Sequence, residues 1–511
     1  RLIAYKPLVD EAVQLATHKP DKVIVYQRNL GANNPKTERY ISYKKLVKKS
    51  EPVGCVEMNS TDPLYILYTS GTTGKPKGIL RDTGGYATAL KYSMKNVYGV
   101  EEGDTFWAAS DVGWVVGHSY IVYGPLINRN TTIVFEGKPI KTPDASTFWR
   151  IISENNVKVM FTAPTAIRAI KKEDPNGELL KMYDLSCLKY QFLAGERCDA
   201  ATLHWLEEQL NIPVIDHWWQ TESGWPMLSN MMGIEALPVK AGSAAKAVPG
   251  YDVQILNSEG KQLGANEEGL VVVKLPLPPG NMLNIWGNTE RFVDGYLKKF
   301  PGYYLSGDGG YTDDDGYVYI TGRVDDVINV AGHRLSTAEM EEVVASNPSV
   351  AECAVFGIED QLKGQTPLAL VVLKSGDYVS SFELEYKIVQ EVRKQIGPVA
   401  SLKKVLIVQR LPKTRSGKIL RKLLRNIADG IQYTIPSTID DPEIVNEITH
   451  EFKLHKIGVF EHATEEEKET LDDLKIDSFI KYYKSYQHSV NDPEGFWSQI
   501  AETFTWRKKW D

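Results

Sequence analysis

Cysteine is scarce: Cys55, Cys187, Cys198 and Cys353 are the four in 511 residues, and none falls in a CxxC or other metal-ligand spacing. In a chain this long that argues against a disulfide-stapled secreted scaffold and against structural zinc, so the thiols read as reduced, in a reducing compartment. An excess of charge of one sign is also missing. Lys+Arg 59 against Asp+Glu 66 gives a net charge of −7, so neither nucleic acid nor an anionic membrane is an expected partner, and any phosphate must be met by local basic clusters. No uninterrupted apolar stretch approaches a membrane span and no N-terminal signal pattern stands out. A cytoplasmic chain is expected, with the mitochondrial matrix open if a targeting segment has been removed. Composition is otherwise ordinary, 42% apolar and 24% charged, and long enough for more than one large core. Nothing in it bears on oligomeric state.

What is there is concentrated first at Tyr68-Thr69-Ser70-Gly71-Thr72-Thr73-Gly74-Lys75-Pro76-Lys77-Gly78, after the apolar run Leu64–Tyr68. Glycines let backbone N–H groups close on an anion, hydroxyls add donors and lysines add charge, so this is a loop fit to wrap phosphate. It lacks the Walker spacing, because no Gly-Lys-Ser/Thr follows a first glycine at the required offset.

Before that loop, residues 8–16 predict a helix, 22–26 a strand expected to pair with the strand at 64–68, and 44–49 a charged connection. After it, 86–97 has helical character, giving a strand, glycine loop and helix in succession. Residues 106–124 read as a loop entering a buried helix. Short apolar runs at 132–135, 159–162, 190–193 and 214–216, each ending in a polar turn, predict further βα units whose carboxyl-end turns would collect ligands. From about 235, antiparallel strands at 253–256, 269–273 and a hairpin turning at Asp315-Gly316 suggest a small distorted β-barrel. Past Arg323, strands at 353–356 and 368–372 and an amphipathic helix bearing Leu384, Ile388, Val392 and Ile396 predict a separate unit of βαβ character.

Further stretches then fall in one order: Ala163-Pro164-Thr165-Ala166, Leu193-Ala194-Gly195-Glu196, Trp219-Gln220-Thr221-Glu222-Ser223-Gly224, Ser306-Gly307-Asp308, Gly322-Arg323-Val324-Asp325-Asp326, Gly332-His333-Arg334-Leu335-Ser336 and Pro412-Lys413-Thr414-Arg415-Ser416-Gly417-Lys418. Together with residues 68–78 they resemble the signatures of the adenylate-forming superfamily. Asp111-Val112-Gly113-Trp114, Gly124-Pro125-Leu126 and Trp218-Trp219-Gln220-Thr221-Glu222 resemble its short-chain acyl-CoA synthetases. The resemblance implies an α/β fold with a large N-terminal domain of layered sheets plus the small barrel (1–324), and a mobile smaller α+β C-terminal domain (325–440). An acidic connection (441–475) and a helical, aromatic segment (476–511) would follow.

It also implies a reaction in which a carboxylate becomes an acyl-AMP before the thiol of CoA attacks, with ATP, Mg2+, CoA and a short-chain acid as the small-molecule partners. Thr69, Ser70, Gly71, Thr72, Thr73, Gly74, Lys75 and Thr221 would meet the phosphates. Gly195, Glu196, Arg197, Asp216, His217, Trp218 and Gln220 resemble the adenine pocket, and Asp308 with Arg323 resembles the ribose site, a task suited to a carboxylate that accepts two hydrogen bonds. Glu222 resembles the magnesium-directing carboxylate. Lys418 resembles the lysine that bridges the two reacting anions in adenylation, and in relatives it is a site of inhibitory acetylation. For the thioester step the C-terminal domain would swing about Asp325 and present Gly332 and Arg334, with Arg393 contacting CoA.

Trp114, Val115, Val116, Ala194 and Trp219 would shape the acyl pocket. A large indole at Trp219 leaves room for a few carbons only. Ala194 and Val116, with Ser223-Gly224-Trp225-Pro226, resemble propionate rather than acetate enzymes, and one methylene is worth roughly 1–3 kcal/mol of discrimination. Propionate is therefore the expected preference, with acetate a poorer substrate. An acetyl-CoA synthetase and a non-catalytic nucleotide-binding remnant are the alternatives. The order of segments departs from the family's, because chains of the family begin with a segment like 476–511 and carry a stretch with no counterpart here. A permuted or shortened chain, or a longer protein whose segments stand out of order, would produce this. The second is expected, since losing half a sheet would leave an open edge.

Overall fold

The computed structural model describes residues 5–28, 39–69, 76–331, 333–360, 362–374, 380–414, 417–436, 439–462 and 489, 490, 492, 493 and 496, with the side chains of 325, 334 and 399 excepted. The chain forms two compact units, Arg1–Asn59 and Ser60–Asp511. In the first, the helix Tyr5–Leu15 is followed by two parallel strands, Val23–Val25 and Tyr40–Ser42, and a short helix Tyr43–Val47. This corrects two expectations: Val23–Val25 pairs with Tyr40–Ser42 rather than with the strand at 64–68, and the lysine-rich connection is partly helical.

In the second unit, Pro63–Thr69 pairs antiparallel with Lys77–Asp82, so the strand after the phosphate stretch turns back as a hairpin before the helix Thr83–Asn96 begins. The expected strand-loop-helix succession thus contains a second strand. Next to it runs an all-parallel sheet in the order Thr131–Thr132, Thr105–Ala108, Val157–Thr162, Tyr190–Leu193, Val214–Asp216. Its strands are apolar because helices cover them: Phe106, Val159, Phe161, Phe192 and Ile215 fall in one buried cluster with the Thr83–Asn96 helix, and Trp107, Met160, Leu193 and Val214 in another with Thr147–Glu154 and Ala200–Leu210. The stretch expected to form a small barrel is a four-stranded antiparallel sheet, Asp252–Leu256, Gly269–Lys274, Tyr303–Thr312 and Val318–Arg323, with the turn at Asp315-Gly316 as expected.

The smaller C-terminal part builds its own sheet. Val350–Asp360 and Gly364–Leu373 form a long antiparallel pair, and Lys404–Ile407 returns parallel to the latter after the helix Ser381–Gln395, the βαβ unit the sequence predicts. Leu384, Ile388 and Val392 are its buried stripe. The stretch read as an acidic connection contributes to this core: Ile444–Leu454 is a helix that buries Ile444, Val445, Ile448 and Phe452 beside Phe356 and Leu424. Most of the aromatic segment 476–511 lies outside the described residues.

Candidate functional site

The segment that follows the parallel strand Val214–Asp216 meets the antiparallel strand Tyr303–Thr312 at Asp308, which is 5% exposed. Gln220 Nε2 donates to its Oδ2 at 2.6 Å, Trp218 Nε1 donates to the same oxygen at 3.2 Å, and Arg323 Nη1 donates to Oδ1 at 3.5 Å. Gln220 is itself fixed, donating to Ser306 O at 2.9 Å and accepting from Tyr304 Oη at 2.8 Å. Burial raises the Asp308 pKa above the usual carboxylate value, and Arg323, Lys418 and the two hydrogen bonds oppose that rise. Lys418 stands within electrostatic range although it lies 110 residues on. Its side chain is solvent-exposed, but the surrounding protein displaces enough water to lower its pKa; Arg323 adds to that effect, while Asp326 and Asp308 oppose it. Gly417, just before it, presents its carbonyl 3.4 Å from the Thr165 hydroxyl.

A second constellation surrounds Glu222. Lys77 Nζ lies 3.1 Å from Oε1, and Tyr296 Oη donates to the same oxygen at 2.6 Å while accepting from Lys77. Burial alone would raise the Glu222 pKa; the Lys77 charge and the two hydrogen bonds outweigh it and hold the carboxyl ionised. The turn carrying Thr221 and Glu222 is held from beneath by Arg81, which is fully buried. Arg81 donates to the carbonyls of Gly280 at 2.5 Å and Glu222 at 3.3 Å, to that of Thr221, and to Tyr65 Oη at 2.9 Å. Gly224 makes room for it: with φ +77°, a Cβ there would fall 2.5 Å from the guanidinium carbon.

Of the residues expected to shape an acyl pocket, Ala194, Val116 and Trp219 meet at the first buried cluster. Ala194 is part of it, and Val116, Trp218 and Trp219 pack against it. Trp114 precedes the short helix Val115–Gly117, which passes into a π-helical turn, His118–Tyr123. Such turns recur at functional sites. Ser119 in that turn donates to Gly224 O at 2.6 Å, which links the turn to the Thr221–Gly224 segment, and Tyr120 meets Trp219 edge-on at 5.5 Å.

Several side chains of the expected adenine pocket are engaged by other protein groups. His217 Nδ1 donates to Leu193 O at 2.7 Å and Nε2 accepts from Tyr98 Oη at 3.0 Å, so both ring nitrogens are taken by protein; burial lowers its pKa to about 4. Asp216 accepts from Cys198 N at 2.9 Å, and burial raises its pKa to about 7. Glu196 is engaged by Arg168 and Thr165, and Arg197 by Glu342. Arg393 is exposed on the Ser381–Gln395 helix. Thr69 ends its strand, and Asp325 lies in the 3₁₀ turn Val324–Asp326. Residues 70–75 and Gly332 lie outside the described residues, as does the Arg334 side chain. Sequence reasoning assigned no role to Arg81, Tyr296 or Arg168, and quoted Thr165 only as part of the Ala163–Ala166 signature; Arg81, a charge directly after the apolar Ile79-Leu80, gave a local signal.

Comparison with known proteins covers nearly the whole chain. The AMP-binding enzyme family matches residues 3–286, the AMP-binding enzyme C-terminal domain 339–418, and the acetyl-coenzyme A synthetase N-terminus 482–511. An uncharacterized protein of Pseudomonas aeruginosa is 55% identical over 90% of this chain and 73% of its own length. The human mitochondrial acyl-CoA synthetase short-chain family member 3 is 49% identical, with 89% and 66% covered, and the propionate–CoA ligase of Escherichia coli 45% identical, with 88% and 72% covered. The chain thus spans about two thirds to three quarters of the length of these relatives. Among solved structures, an anthranilate CoA ligase in complex with anthranoyl-AMP superposes with a TM-score of 0.71 at 26% identity, covering 83% of this chain and 76% of that one. Among the described residues no helix is long and apolar enough to cross a membrane.

Proposed function

The chain belongs to the AMP-binding enzyme family, among its short-chain acyl-CoA synthetases, and from that premise we propose that it joins propionate, in preference to acetate, to CoA through propionyl-AMP. The observation that carries the reading is the buried Asp308 carboxylate, oriented by Gln220, Trp218 and Arg323 as a ribose acceptor would need, with Lys418 of the C-terminal part within electrostatic range of it. In this reading Asp308 accepts the ribose hydroxyls, with Gln220 and Trp218 fixing the carboxylate's orientation, and Arg323 reaches ribose and phosphate. Thr221 donates to phosphate from a turn that Arg81 holds still.

Lys418 draws the carboxylate oxygen and the α-phosphate together and neutralises the charge that builds as the C–O–P link forms and pyrophosphate leaves. AMP-forming CoA ligases use ATP, Mg2+ and CoA. The donor here suits magnesium: Glu222 is a carboxylate kept ionised beside Lys77 and Tyr296, and this ion takes one or two carboxylates plus phosphate oxygens and water. Glu222 would hold it, supplying a counter-charge for the phosphates. After adenylation the C-terminal part turns about Asp325, Lys418 withdraws, and Gly332, Arg334 and Arg393 serve the CoA step. Residues 1–324 then act as the nucleotide-holding domain and 325–440 as the moving one.

Preference for propionate is supported by the small Ala194 in the buried cluster against which Trp219 also packs. ATP–pyrophosphate exchange with propionate and acetate in parallel tests the whole reading. Exchange with a higher kcat/KM for propionate is expected. Exchange favouring acetate would overturn the preference, and AMP binding without acid-dependent exchange would overturn the activity.

A further inference from the structure

The turn Gly195–Arg197 meets the C-terminal part directly through Arg197 and indirectly through Thr165. Thr165, which donates to Glu196, also touches the Gly417 carbonyl, and Arg197 Nη2 donates to Glu342 Oε2 at 2.6 Å. Glu342 sits on the helix Thr337–Ala345, capped by Ser336, whose hydroxyl donates to Thr321 O at 2.7 Å on the strand that carries Arg323. The guanidinium of Arg197 is wedged against Gly242, φ +78°, where a Cβ would lie 2.4 Å from Nη2. Its Nε is buried and has no hydrogen-bond partner. Arg197 is therefore oriented by packing on one side and by Glu342 on the other.

We propose that Glu342 is a positioning residue for adenylation: its pairing with Arg197, together with the Thr165–Gly417 contact, holds Lys418 over the Asp308 side of the cleft. The inference rests on the two-step reading above, in which the same contact must break before the CoA step. The side chains are 21% and 37% exposed, so the pair is in the range where an ion pair shifts an equilibrium by about two- to five-fold. That is strong enough to bias the closed arrangement and weak enough to release once per turnover.

The test compares wild type, Glu342→Gln, Glu342→Arg and the exchanged pair Arg197→Glu with Glu342→Arg in two separate half-reactions. One is ATP–pyrophosphate exchange with propionate, and the other is thioester formation from supplied propionyl-AMP and CoA. Glu342→Gln is expected to lower kcat for exchange about two- to five-fold with KM for ATP little changed, and Glu342→Arg to lower it further. Neither should slow the thioester step, and the exchanged pair should recover part of the loss. Equal losses in both half-reactions, or no loss in either, would overturn the proposal. A wild type without exchange would sink the functional reading instead. The contact is then read by amide hydrogen exchange: Glu342→Arg should speed exchange across Gly195–Asp199, far in sequence from the substitution, and unchanged protection there overturns the contact's role.

Discussion

Arg81→Lys keeps the charge beneath the Thr221–Glu222 turn and removes the planar fork that distributes it. In the native protein the guanidinium serves the carbonyls of Thr221, Glu222 and Gly280, the Tyr65 hydroxyl, and lies over the Tyr86 ring at 5.3 Å. A lysine ammonium is a point donor on a flexible stem and cannot span acceptors set that far apart. At least one or two buried carbonyls lose their partner, and each such loss costs about 1–3 kcal/mol, so a destabilisation of about 2–4 kcal/mol is expected. The same loss frees the turn that aims Thr221 and Glu222, and a misplacement near 1 Å can cost on the order of 10²-fold in rate. The assay is pyrophosphate exchange alongside the midpoint of the first urea transition, since a chain this long need not unfold in one step. The expected result is a lower midpoint and a kcat that falls more than KM for ATP rises. Wild-type midpoint and wild-type exchange in Arg81→Lys would refute the reasoning, because the fork would then hold nothing the charge alone does not.

Lys418→Ala should lower pyrophosphate exchange by about 10²–10³-fold, the scale of removing one preorganised charge stabiliser, while thioester formation from supplied propionyl-AMP survives; comparable loss in both steps would count against its assigned role. Ala194→Val should shift kcat/KM toward acetate by about tenfold or more, measured on the two acids in parallel, with an unchanged ratio opposing the pocket assignment. Asp216 and His217 act in opposite directions on stability. His217, lowered to about 4, is neutral when folded and charges on unfolding, so it costs stability as pH falls from 6.5 to 4, by about 3 kcal/mol in total. Asp216, raised to about 7, holds a proton in the folded state that the unfolded chain releases above its ordinary carboxylate pKa, so its contribution is present at low pH and lost as pH rises to 7, by about 4 kcal/mol. Asp216→Asn leaves the histidine effect unopposed, and its urea midpoint should fall more steeply than wild type between pH 6.5 and 4; parallel profiles would refute the assignment.

What the sequence made legible was local. Apolar runs closed by polar turns mark the parallel strands Val157–Thr162, Tyr190–Leu193 and Val214–Asp216 to within two residues, and the four-residue recurrence of Leu384, Ile388 and Val392 marks a helix with one buried face. Lys77–Asp82 was hidden as a strand because Gly78 and Arg81 interrupt its apolar pattern, yet Arg81 belongs there for a reason no window contains: its carbonyl acceptors lie 140 to 199 residues away. The acidic character of 441–475 masked the apolar stripe of Ile444, Val445, Ile448 and Phe452. At His217 the motif gives no hint of the packing around it, where the Leu193 carbonyl and Tyr98 hydroxyl take both ring nitrogens. The same limit applies to Glu222, whose charge depends on Lys77 and on Tyr296, 74 residues on, and to Arg197, whose partner is 145 residues on. A motif can name the groups that touch substrate, because their types are set by the chemistry. The groups that aim them answer only to packing, and several substitutions elsewhere could do the same work, so their identity emerges only once the chain has folded back on itself.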